Sequence, residues 1–401
     1  RFDNYNTGNT FWEKFKPGLF VTSSDMLDRY SIFAGAAVNA RWERDLFLIF
    51  DYRNKLPVLS SLGLRPELSL ELYSISRKAD VDVFFGADTT AGGTVNYDYV
   101  TPTEVTYDLF EFDFIIRHRL FTRDQNLQLK YTNSSYTAIL GSFILPDENN
   151  TLYPTTKDNY FNGNNLEAKF TWHAILPTKD DEINPVGFDV NLTYNYEFSD
   201  YNEKGEYTVE NGLLIPKYGN FDFNRLELKT SLFLPVFDSH TFNTTLRLGS
   251  ILGPTVPDFF DFYLGGLIGM KAYPFYAISG NEIAWLNFTY RFPLFRNIDT
   301  RAGHLYIDKI FLSFNGDIGN AWNNDATTIE SFKKGLGAEL RIQLSSYYLF
   351  PTSVFVSASY GFDEFKRNVN NEIVTYGKEW NLYAGILFGF EILNFNKSPR
   401  F

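Results

Sequence analysis

Phe188-Asp189-Val190-Asn191-Leu192-Thr193-Tyr194-Asn195-Tyr196-Glu197-Phe198-Ser199 alternates apolar and polar residues without a miss. A strand points successive side chains to opposite faces, so Phe188, Val190, Leu192, Tyr194, Tyr196 and Phe198 share one face and the six polar residues share the other. A helix would scatter both sets around its circumference. Length decides what kind of strand this is. Strands of soluble sandwiches run about 5–6 residues, whereas a strand that crosses a bilayer needs about 9–11.

The same pattern recurs along the chain. Leu226, Leu228, Leu232 and Leu234 alternate with Arg225, Glu227, Lys229 and Ser231, and Phe110, Phe112, Phe114 and Ile116 with Glu111, Asp113 and Arg117. Leu382, Ala384, Ile386, Phe388, Phe390 and Ile392 form one apolar face near the end. The periodicity predicts strands over 14–25, 30–40, 44–56, 65–78, 104–120, 126–141, 165–176, 187–200, 223–237, 240–252, 281–294, 307–322, 332–349, 352–365 and 381–393. Single-chain bacterial barrels have even strand numbers. A sixteenth strand is therefore expected within 1–13 or 79–103, with 1–13 otherwise a linker. Short connections alternate with long ones at 79–103, 142–164, 201–222, 253–280 and 366–380, the asymmetry of periplasmic turns and extracellular loops. With no Pro/Gly/Ser-rich linker and no repeat of 20–50 residues, 1–401 is read as one domain.

Composition agrees. The 401 residues include 26 Tyr and 41 Phe, an aromatic share of 18% that suits a barrel with interfacial girdles. A net charge of −12 argues against nucleic acid as a partner, because phosphate binding requires clustered Lys and Arg. The absence of cysteine excludes disulfides, zinc–thiolate sites and thiol nucleophiles. No apolar run reaches the roughly 18 residues of a spanning helix, so a membrane form would have to be a barrel. The chain opens at Arg1 without the charged and apolar regions of a signal peptide, which is expected of a processed chain or a fragment.

Chemistry-bearing motifs are few. His118, His173, His240 and His304 fall in or beside different predicted strands, without metal or hydrolase spacing. Neither a G-x-S-x-G elbow nor a phosphate-binding glycine loop occurs, so no enzyme activity, metal or cofactor is expected.

One stretch stands apart: Phe262-Tyr263-Leu264-Gly265-Gly266, Gly269-Met270-Lys271-Ala272-Tyr273, Gly280-Asn281, then the strand ending Tyr290-Arg291-Phe292-Pro293-Leu294. Downstream lie Phe314-Asn315-Gly316-Asp317-Ile318-Gly319, Lys334-Gly335-Leu336-Gly337-Ala338-Glu339-Leu340-Arg341 and Tyr360-Gly361. In this order and spacing the set resembles the outer-membrane barrel-assembly and two-partner-secretion superfamily, the bacterial surface antigen family. Tyr273 to Gly280 and Phe295 to Asp299 resemble a Bacteroidota sub-type. Lys271 stands where the family has arginine and Ala272 where it has glycine.

The resemblance implies an all-β, transmembrane antiparallel β-barrel of sixteen strands in the outer membrane of a Gram-negative bacterium, with a long extracellular loop folded into the lumen. It implies closure by pairing of the 381–393 strand with the first strand. Alternation places Asp317 and Glu339 on the polar faces of neighbouring strands, and Lys271 at the loop tip is expected to meet both, with Tyr273 completing a latch. Arg341 offers Glu339 an ordinary ion pair instead. Gly265, Gly266, Gly269, Arg291 and Pro293 carry the loop and strand motifs. The implied function is outer-membrane protein assembly or protein or lipid translocation; the alternatives are a structural or interaction barrel and a small-solute porin. Expected partners are outer-membrane lipids and lipoprotein or other outer-membrane protein subunits. The family's periplasmic POTRA modules are not expected within this chain.

Overall fold

The alternating segments become fifteen long strands: β1 (Gly18–Ser24), β2 (Tyr30–Val38), β3 (Arg44–Tyr52), β4 (Glu67–Thr89), β5 (Val95–Arg119), β6 (Gln125–Leu140), β7 (Thr156–Ile175), β8 (Gly187–Tyr201), β9 (Gly219–Phe237), β10 (His240–Leu252), β11 (Glu282–Phe295), β12 (Leu305–Trp322), β13 (Lys333–Ser346), β14 (Phe350–Gly361) and β15 (Trp380–Phe388). They pair in chain order in one sheet, and the short strand Thr300–Ala302, paired with β12, makes sixteen. Every pairing with a resolved register is antiparallel, as hairpin connections require. The computed structural model describes residues 15–27, 29–54, 61, 64, 66–89, 95–144, 152–177, 183–203, 205–210, 213–237, 239–323, 329–346, 350–369 and 372–388.

A sixteenth spanning strand in 79–103 is not found. Ala79 to Thr89 and Val95 to Thr103 are instead the far ends of β4 and β5, paired in register out to Thr89 and Val95. Strands of 23 and 25 residues are about twice what a bilayer needs, so the alternation there belongs to a hairpin reaching beyond it. The described part of the 381–393 strand, on which the expected closure rests, pairs with β14, from Thr352↔Phe388 to Tyr360↔Trp380, while residues 1–13 and 389–393 lie outside the described residues. Three other long connections carry small two-stranded ladders: Phe143–Ile144 with Leu152–Tyr153, Tyr207–Glu210 with Leu213–Pro216, and Phe365–Val369 with Glu372–Tyr376. Among the described residues, no helix is long and apolar enough to cross a membrane.

The chain forms two compact units, 1–169 with 194–224 and 170–193 with 225–401. In the first, Phe110, Leu129 and Leu166 are exposed while Ser69, Asp113 and Ser134 are buried. Its polar face is cross-linked by charge pairs, among them Lys130–Asp113 at 3.2 Å and Arg117–Glu71 at 3.3 Å. In the second, Val356 is 54% exposed while Ser357 and Ser359 beside it are fully buried. Leu336, Leu382 and Ile386 are likewise exposed, and Asp317 and Glu339 buried. A water-soluble sheet would have the opposite distribution. Apolar side chains turned outward and polar ones turned inward are what lipid on one face requires.

Candidate functional site

Within the second unit the register aligns polar-face side chains into rows. One row runs Thr241, Arg291, Ser313, Glu339, Ser357 across β10 to β14, and a second runs Thr245, Asn287, Asp317, Gly335, Gly361. The connection between β10 and β11 lies on this face. Its neck is the two-residue ladder Phe262↔Gly280 and Tyr263↔Ser279. Phe262 in the neck and Leu264, Met270, Ala272 and Tyr273 beyond it have no exposed surface at all. Burying such side chains contributes about 1.5–3 kcal/mol each for the larger ones, so packing is the main force that seats the loop.

A polar face accepts an apolar loop here because it is notched with glycines. A Cβ on Gly249 would lie 2.8 Å from the Phe262 ring, one on Gly319 2.9 Å from the Leu264 side chain, and one on Gly335 2.5 Å from the Ala272 methyl. On Gly361 it would meet the Tyr273 ring at 3.0 Å. Each notch comes from a different strand, β10, β12, β13 or β14; a Cβ on Gly319 would also meet the Met270 sulfur at 3.0 Å, and one on Gly361 the Ala272 carbonyl at 3.0 Å. The loop's own glycines serve its tight fold: a side chain on Gly265 would run into the Pro274 carbonyl, one on Gly269 into the Leu264 carbonyl, and Gly266 has φ +86°. Ala272 has no positive φ, so its methyl, where the resembled family has glycine, imposes no left-handed backbone. It fills the notch at Gly335.

Polar contacts fix the tip. Lys271 Nζ donates to Glu339 Oε2 at 2.7 Å, and Arg341 donates to Glu339 Oε1 through Nη2 at 2.6 Å and Nε at 3.1 Å. The Tyr273 hydroxyl donates to the Lys334 carbonyl at 2.9 Å and accepts from the Asp363 amide at 3.2 Å. Burial pushes its pKa up to about 12, which keeps it a neutral donor. Asn381 Nδ2 donates to the Ala272 carbonyl at 2.8 Å and Arg367 Nη1 to the Tyr276 carbonyl at 2.7 Å.

Asp317 does not pair with Lys271. It accepts from Trp285 Nε1 at 2.9 Å, from Asn287 Nδ2 at 2.8 Å and, on its other oxygen, from Asn315 Nδ2 at 3.4 Å. The cause is register: Ser313 stands opposite Glu339, and Asp317 lies four residues further along, roughly 13 Å at strand rise. Arg291 lies in the Glu339 row, two strands away, and donates to the Ile183 carbonyl. Pro293 opposes Phe311 just before a register shift, a position where a strand tolerates the missing N–H. Trp285, Asn381, Arg367 and the glycine notches escaped the sequence reading. An aromatic at a polar-face position of β11, and glycines recurring on the polar faces of β12 to β14, are the signals that mark them. Among the described residues, no group of three His, Asp or Glu side chains is placed to hold a metal ion.

No protein-family model and no curated protein matches the sequence. Solved structures do. CdiB from Escherichia coli aligns at TM-score 0.50 and 13% identity over 95% of this chain and 61% of that one. BamA from Haemophilus ducreyi lacking POTRA domains 1–3 aligns at TM-score 0.52 and 11% identity over 92% of this chain and 67% of that one. The fold is that of these outer-membrane β-barrels. At 11–13% identity the likeness is one of fold. The chain spans about three-fifths of the CdiB structure and two-thirds of the BamA structure.

Proposed function

We propose that this chain is an outer-membrane barrel of a Gram-negative bacterium that acts in outer-membrane protein assembly or in protein or lipid translocation. The observation that carries the reading is the loop seat, in which a glycine-notched wall receives an apolar loop whose Lys271 closes on Glu339. Asp317 and Tyr273 belong to the same latch, Asp317 by ordering the wall strands through Trp285 and Asn287, and Tyr273 by bonding the β13–β14 end. The alignments run over more than nine-tenths of the chain, which supports reading it as one barrel domain. Lipids surround the exposed apolar face, and lipoproteins or other outer-membrane subunits are the protein partners this class of barrel would take.

The test is depletion in cells. Reduced levels of many outer-membrane proteins, or loss of one exported client, support the reading; unchanged levels of both sink it. A structural anchor is the second reading. It is favoured by the single bond that Lys271 makes to the wall carboxylate, because a loop seated mainly by packing, with few charged contacts, suits a passive wall. A small-solute porin fits least well, since a loop is seated on the polar face. A wide, steady conductance of the purified barrel in a planar bilayer would reverse that order.

A further inference from the structure

Arg291 occupies an inward row with one carboxylate, yet does not use it. In the row Thr241, Arg291, Ser313, Glu339 the two charges are two strands apart, roughly 10 Å at the usual strand spacing. Glu339 is filled by Lys271 and Arg341. Arg291 makes no ion pair among the described residues and donates to the Ile183 carbonyl. Ile183 and Asn184, in the connection from β7 to β8, are each 4% exposed. Asn184 Nδ2 donates to the Ser239 carbonyl at 2.7 Å and its Oδ1 accepts from Thr241, the neighbour of Arg291 in the row. The short connection and the long loop arrive from opposite ends of the strands and are anchored on one row.

We infer that Arg291 couples the two: when the Ile183–Asn184 segment leaves the wall, Arg291 turns to Glu339 and displaces Lys271, loosening the loop. A guanidinium that loses its acceptor in a half-buried site must find another, and Glu339 is the carboxylate of its own row. With Oε1 of Glu339 held by Arg341, Arg291 would compete for Oε2 through a single charge-assisted N–H bond, of the same kind as the one Lys271 makes. The coupling rests on the loop-latch reading above and is separable from it by experiment.

The chain has no cysteine, so a single engineered thiol reports cleanly. Met270, fully buried in the seated loop, is the reporter position: M270C in the full-length barrel, reacted with a membrane-impermeant maleimide. Loosening the short connection with N184A and T241V is expected to raise the labelling rate about tenfold, the scale of one charge-assisted hydrogen bond. Adding R291M should cancel that rise. Heat-modifiable migration shows that each variant is folded. An unchanged rate on N184A/T241V, or an equal rise with and without R291M, overturns the coupling. K271A separates the two ideas: if it raises labelling while N184A/T241V does not, the latch stands and the coupling falls; if K271A leaves labelling unchanged, the latch reading fails, and the coupling with it.

Discussion

Gly335→Ala tests the seat most directly. The new Cβ would lie 2.5 Å from the Ala272 Cβ, whereas carbon atoms at rest stand about 3.5–4.0 Å apart, so about 1 Å must be found. The wall cannot supply it, because Gly335 is held between Asp317 and Gly361 in the ladder and its Cβ already nears the Tyr360 carbonyl at 3.4 Å. The loop would have to lift. At about 1 Å of lift the Lys271–Glu339 contact of 2.7 Å, the Tyr273–Lys334 bond of 2.9 Å and the Asn381–Ala272 bond of 2.8 Å all pass beyond useful hydrogen-bond length. Overpacking costs about 1–3 kcal/mol. With about 1.4 kcal/mol per factor of ten, the unseated population rises roughly fivefold to a hundredfold. Limited proteolysis within 253–280, on full-length barrel whose folding is checked by heat-modifiable migration, reads that population. Ala272→Gly removes the opposing methyl and should restore most of the protection in the double variant. Cleavage of G335A at the parental rate, or no rescue by A272G, would refute the notch argument.

Two further outcomes follow from the same geometry. Val356→Lys, on the exposed apolar face, should cost about 2–4 kcal/mol of folded barrel in bilayers, as read by urea unfolding in lipid; a soluble sheet would tolerate it. Asp261, buried in the loop beside Asp258, has its pKa pushed up to about 6, chiefly by burial and then by Asp258, against the opposing pull of Ser279, Arg367 and Arg225. Because the seated loop holds that proton more tightly than the open one, its contribution is full below about pH 4 and lost as the pH rises through about 6. Proteolysis of the loop should therefore quicken between pH 5 and 7, and D261N should flatten the profile.

The strands were legible because lipid enforces strict alternation over lengths a soluble sheet does not use: each predicted strand matches one observed strand to within a few residues at most ends. The 79–103 segment misled for the same reason, since a hairpin that continues past the membrane keeps its period of two. The latch was legible only as an inventory. Alternation identifies Asp317 and Glu339 as inward, but the period is silent on register, and register sets how far apart they stand. Asn287 stands opposite Asp317, Asn315 shares its strand, and Trp285 reaches it diagonally from opposite Gly319, so register brings all three to it. The Ile183–Arg291 contact spans 108 residues and left no trace in any local pattern.

The lysine at the loop tip becomes intelligible through Arg341. A loop arginine would offer a fork to a carboxylate with both oxygens open. Here one oxygen of Glu339 already accepts two bonds from Arg341 on the same strand, which leaves Oε2 alone facing the loop. A single open oxygen takes a single donor, which an ammonium on a flexible stem supplies, so the fork of a loop arginine would gain no second bond there. The same economy holds one residue on, where the Ala272 methyl meets a wall glycine instead of a side chain. The two departures from the family pattern are therefore answered by Arg341 and Gly335 on one strand, β13. That strand, as much as the loop, sets how the tip is held.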